Sequence, residues 1–118
     1  MNARSVRIRI LLLHPASEFV KARETEDPSP ERVDLAAEIR KATTAYKSLA
    51  LSNLTIKYYR CTPTLTYQRL DSVVFAGPYF VGLPSGRQSA LRLRADHKLA
   101  LQYQEHFERV WNDFSEDV

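Results

Sequence analysis

Val6-Arg7-Ile8-Arg9-Ile10-Leu11-Leu12-Leu13-His14-Pro15 is the stretch on which the reading of the fold turns. Val6, Ile8 and Ile10 alternate with Arg7 and Arg9, and three leucines then run together. This is the pattern of a strand half covered at its start and buried on both faces at its end. Pro15 stops it, because proline lacks an amide donor and restricts the residue before it. A buried strand near the start of a chain needs a covering layer and a parallel neighbour, and both follow in order.

Ala16 to Asp27 is rich in charge and reads as a loop, with at most a helical turn around Phe19 and Val20. Ser29-Pro30-Glu31 then has the form of a helix start: a capping hydroxyl, proline in the first turn and a carboxylate near the positive end of the dipole. Leu35, Ile39, Ala42, Tyr46 and Leu49 recur at helical spacing, so a long helix running to about Ser52-Asn53 is expected to lay one stripe on the sheet. Leu54 to Arg60 alternates again and forms the second strand, expected to be parallel to the first, before Pro63 breaks it. Leu65, Tyr67 and Leu70, a turn at Asp71-Ser72 and the apolar run Val73 to Phe80 describe a hairpin. Gly82 to Gly86 reads as a loop, Ala90 to Arg94 as the last strand, and Asp96 as the cap of a closing helix. That helix carries Leu99, Tyr103, Phe107, Val110, Trp111 and Phe114 on one wide apolar face. The expected fold is therefore α/β: a mixed β-sheet of about five strands covered by helices, in the order β-α-β-β-β-α, forming a single domain over residues 1–118.

Composition bounds what such a domain can do. A chain of 118 residues supports one core, burying roughly two-thirds of the surface its unfolded form exposes. The 44% hydrophobic and 26% charged fractions are those of folded proteins rather than disordered ones. Cys61 is the single cysteine, so no internal disulfide is available and a cytoplasmic location is expected. No apolar run is long enough to span a bilayer, and no export signal or membrane association is expected. The formal charge of +3 is mild, and the basic residues are scattered apart from Arg4 to Arg9 and Arg87 to Arg94, which disfavours nucleic-acid binding.

The element order and several strings resemble one repeat of the phospholipase D-like superfamily. Val6 to Leu12 matches its first strand, Leu54-Thr55-Ile56-Lys57-Tyr58-Tyr59 its second, Leu65 to Phe80 its hairpin, and Glu105-His106-Phe107-Glu108-Arg109-Val110-Trp111 its closing helix. The resemblance implies half of a two-half fold, and hence a homodimer. In that family a histidine attacks phosphorus, a lysine neutralises the phosphoryl oxygens and a second half supplies the general acid. The motif that carries this chemistry is His-x-Lys followed, after four residues, by Asp. With Asp71 in the aspartate position, Thr64 and Thr66 stand where histidine and lysine belong; with Leu70 there, Pro63 and Leu65 do. Gly77 matches the family glycine, but Pro78-Tyr79-Phe80 replaces the usual serine and asparagine. The chain thus resembles a degenerate member with no catalytic residues. The Asp71 to Phe80 segment also resembles bacterial domains sometimes attached to helix-turn-helix regulators, which implies a sensor or oligomerisation module.

Candidate binding residues remain. His14 ends a strand at the carboxyl edge of a parallel pair, where α/β sheets present ligand-binding groups; the simpler reading is a turn histidine bonded to backbone. Tyr58, Tyr59, Tyr67, Tyr79 and Arg69 are expected to gather near one sheet edge, where aromatic faces and a guanidinium can hold a base and a phosphate. The ligand site expected is therefore His14, Tyr58, Tyr67, Arg69 and Tyr79, for a small phosphorylated ligand; the same residues also suit core packing or a protein interface. His97 and His106 do not share a helix face and Cys61 has no partner, so neither metal nor cofactor is expected. Cys61 reads as a strand-end thiol rather than a nucleophile. Three classes stay open: a non-catalytic self-associating interaction or sensor domain, which is preferred; an enzyme with an atypical site around His14 and Arg69; and a nucleic-acid-binding module using the arginines of the first and last strands.

Overall fold

The computed structural model describes residues 7–26, 34–79 and 90–118. The chain forms a mixed α/β structure with three helices and two three-stranded sheets among these residues. β1 (Ile8–Leu13) leads into α1 (Phe19–Glu26) and α2 (Leu35–Ser48), followed by β2 (Leu54–Tyr59), β3 (Leu65–Leu70), β4 (Val73–Pro78), β5 (Leu91–Arg94), α3 (Lys98–Asp113) and β6 (Ser115–Asp117). The first sheet has the order β1-β2-β6, with β1 and β2 parallel as expected and β6 antiparallel to β2. The second is the meander β3-β4-β5.

The expected single sheet of five strands in the order β-α-β-β-β-α is corrected on three counts. The hairpin does not extend the β1-β2 pair. Its apolar face is satisfied elsewhere: Val74 and Ala76 are fully buried against Ala100, with Tyr67, Leu93 and Tyr103 packed around them. The meander therefore folds onto the first half of α3 as a sheet of its own. Second, the segment expected as a loop holds α1. Val20 and Arg23, three residues apart on one helix face, are both buried, but the second is a cation and so leaves no apolar periodicity to read. Third, the chain does not end on α3: Ser115–Asp117 pairs with Tyr59, Tyr58 and Lys57 as β6.

Helix starts differ too. Asp34 caps α2, its carboxylate accepting from the Ala37 amide at 3.1 Å. The cap expected at Ser29 lies outside the described residues, as does the loop Gly82 to Gly86. α3 is capped by His97, whose Nδ1 accepts from the Leu99 amide at 3.1 Å, while Asp96 turns to Arg94 at 2.9 Å. The turn at Asp71-Ser72 holds as expected, with Asp71 in the left-handed region at φ 52°; Asp is among the few non-glycine residues that visit it readily.

The period of two assigns the two faces of the first sheet. Ile10, Leu12, Ile56 and Tyr58 share one face, and Leu12 and Tyr58 pack with Leu35, Ala36 and Ile39 of α2. Arg9 and Lys57 belong to the other face, where both lie over the Trp111 ring of α3. α3 is thus the shared wall. Ala100 and Tyr103 serve the meander, Trp111 serves the parallel sheet, and Phe107 touches both, stacking on Tyr67 and lying under Arg9.

Candidate functional site

Parallel strands bring their carboxyl ends to one edge, and here that edge carries charge. His14 follows β1, Arg60 follows β2, and both continue the face of Leu12 and Tyr58. β6 runs the other way with Tyr58 opposite Glu116, which sets the Glu116 carboxylate beside them. Arg60 Nε donates to Glu116 Oε1 at 2.9 Å, and His14 Nε2 lies 3.4 Å from the same oxygen. The Ala16 amide donates to His14 Nδ1 at 3.0 Å, so the proton of the neutral ring belongs to Nε2. A terminal Arg60 nitrogen also stands 2.9 Å from His14 Nε2. Arg60 and His14 are thus in direct contact at this edge, with the Glu116 carboxylate against both. The Arg60 hydrogen bond holds the Glu116 carboxyl below the usual range.

The five residues expected to form one ligand site fall into separate groups. His14 meets Tyr58 edge to face, ring centroids 5.3 Å apart. Tyr58, however, is committed to the core side, its hydroxyl 2.8 Å from Thr43 Oγ1. Tyr79 is covered by the buried Arg23, whose guanidinium carbon lies 4.5 Å from the ring centroid. Burial pushes the Tyr79 and neighbouring Tyr59 phenols up, with Arg23 opposing. Tyr67 and Arg69 lie on β3 instead. Tyr67 stacks on Phe107 at 5.3 Å. Arg69 donates to Gln104 Oε1 at 2.7 Å and to the Asp71 carbonyl at 3.0 Å. Packing of the meander on α3 sets Tyr67 against Phe107 and Arg69 against Gln104. His14 and Arg69 are therefore not joined by any hydrogen bond or ring contact among the described residues, as the enzyme reading would need.

Sequence reasoning missed Arg60, Glu116 and Arg23. The first could have been found, since Arg60 occupies on β2 the position that His14 occupies on β1. Glu116 depended on a strand with no apolar signature.

Two of the arginines invoked for nucleic-acid binding, Arg9 and Arg94, are engaged. Arg9 pairs through both terminal nitrogens with the Glu108 carboxylate, at 2.9 and 2.5 Å, and stands 4.9 Å from the Phe107 centroid. That hydrogen bonding raises the Arg9 guanidinium and lowers the Glu108 carboxyl, while partial burial opposes both shifts. Arg94 pairs with Asp96. Burial pushes the Cys61 thiol up, away from the thiolate that a nucleophile requires.

A second feature lies at the opposite end of β2. Leu54, Thr55 and Ile56 floor an open groove of about 330 Å³, walled by Tyr46 of α2, by Ala50 and Leu51 after it and by Val118 after β6. Lys47 and Asp117 stand on its lining. Leu51 is 45% exposed and nearby Leu49 58%.

Among the described residues no helix is long and apolar enough to cross a membrane, and no three His, Cys, Asp or Glu side chains gather to hold a metal ion. Comparison with protein-family models, with curated proteins and with solved structures finds no match for this chain.

Proposed function

We propose that this chain is a non-catalytic interaction domain that self-associates as a homodimer, a degenerate relative of one half of a phospholipase D-type fold. The observation that carries the reading is the apolar groove beside β2. Tyr46, Leu51 and Val118, all left open to water, line a concave surface floored by Leu54 and Ile56. Contiguous exposed apolar surface of this kind marks protein interfaces. A two-fold contact presents the same patch from both copies, so the Leu51 side chain of each fills the groove of the other. Lys47 and Asp117 of the same lining supply opposite charges that pair across such an axis, which suits a second copy better than an unrelated apolar partner.

The sensor element of the reading rests on the carboxyl edge, with His14 and Arg60 as its polar groups. A regulatory role, as in the bacterial domains that the hairpin resembles, and a cytoplasmic location for a chain with one cysteine belong to the same proposal. The test is light scattering on the eluted protein. The chain should elute as a dimer and Leu51→Glu as a folded monomer, because an exposed side chain can accept the charge without disturbing the core. A chain monomeric throughout the micromolar range overturns the reading.

A further inference from the structure

We infer that His14 and Arg60 form an oxyanion-binding site at the carboxyl edge of β1 and β2, and that Glu116 of β6 is its built-in occupant. Side chains from the ends of adjacent parallel strands converge on one oxygen: Arg60 Nε donates to it at 2.9 Å and His14 Nε2 lies 3.4 Å away. The His14 donor is oriented before any ligand arrives, because the Ala16 amide holds Nδ1 as the acceptor. The terminal Arg60 nitrogen lies 2.9 Å from His14 Nε2. The Arg60 guanidinium and the His14 ring thus stand side by side, facing one carboxylate oxygen, an arrangement complementary to an oxyanion.

Glu116 fills this place from a strand of only three residues, and its side chain is half exposed. Exposed ion pairs hold weakly. A carboxylate or phosphate from solution therefore competes with Glu116 on the same two donors and turns its side chain away. The ring of Tyr58, edge to face with His14, walls the core side. Arg60 also ties the start of β6 to β2, its amide donating to the Phe114 carbonyl at 2.9 Å. This site is separate from the groove at the other end of β2, and its test does not involve self-association.

The experiment is a titration of the isotope-labelled full chain with inorganic phosphate and, separately, with acetate, followed by amide chemical shifts. The expected result is a saturable response at Ala16, Arg60 and the β6 amides, at least tenfold tighter in Glu116→Gln and lost in Arg60→Ala. Glu105→Gln, which removes the same charge from the exposed face of α3, should bind as the unaltered chain does. Tighter phosphate assigns phosphate-bearing ligands to the site, and tighter acetate assigns carboxylates. Equal affinity in Glu116→Gln and the unaltered chain, or an equal gain in Glu105→Gln, overturns the proposal.

Discussion

Thr43 shows how one hydroxyl joins α2 to the parallel strands. Buried on the helix, it donates to the Ile39 carbonyl at 2.8 Å, so its oxygen is left to accept from the Tyr58 hydroxyl, also at 2.8 Å. Thr43→Val keeps the shape and removes that acceptor, leaving the Tyr58 hydroxyl without its partner. A loss of about 1 kcal/mol is expected by denaturant titration, with Thr43→Ser close to the unaltered chain. Glu108 gives a pH test at the same scale. Its carboxyl is lowered in the fold by Arg9, so at neutral pH the group is ionised in both folded and unfolded chains and the pair contributes in full. As pH falls below the ordinary carboxylate value of roughly 4.3, the unfolded chain takes up its proton first and the contribution shrinks, vanishing below the folded value. The gap in melting temperature between the chain and Glu108→Gln should narrow from pH 6 to pH 3, these being roughly the bounds of the carboxylate range. A constant gap would show that the pair's charge contributes nothing. Candidate site residues were readable from sequence where a strand end announced them, as at His14; Arg23 and Glu116 were not, because a buried cation and a polar strand leave no periodic mark.

At the scale of elements, α3 decides the architecture. Its stripe was evident from the spacing of Leu99, Tyr103, Phe107, Val110 and Trp111, and β1, β2 and the hairpin were evident from alternation. The partition of the strands into two sheets was not, since alternation records which face is buried and is silent about which neighbour buries it. Ala100, Tyr103 and Phe107 take up the meander, and Trp111 takes up Arg9 and Lys57 of the parallel sheet. Trp111 is half-buried and works as a platform for two cations rather than as the centre of a core. Trp111→Ala is expected to cost about 3 kcal/mol, at the lower end for large aromatic truncations, and Trp111→Phe much less because it retains a ring beneath both cations. Equal losses in the two variants, measured by denaturant unfolding, would place the energy in indole packing instead. β6 escaped sequence reading for a plain reason: Ser115, Glu116 and Asp117 have no strand propensity of their own, and the open edge of β2 makes them a strand.

For the whole molecule, the two ends of β2 carry different surfaces. The carboxyl end is polar and already satisfied by Glu116, whereas the amino end is apolar and unfilled among the described residues. A standard interface buries about 800 Å² from each partner, so in the proposed dimer the groove would be the centre of a contact extended by the exposed Leu49 and the flanking Lys47 and Asp117. Sedimentation equilibrium of the chain beside Leu51→Glu, both checked for retained structure by circular dichroism, tests this most directly. The chain should sediment at twice its 13.6 kDa mass and the variant at 13.6 kDa; a chain that sediments as a monomer, or a variant that remains a dimer, would contradict the account.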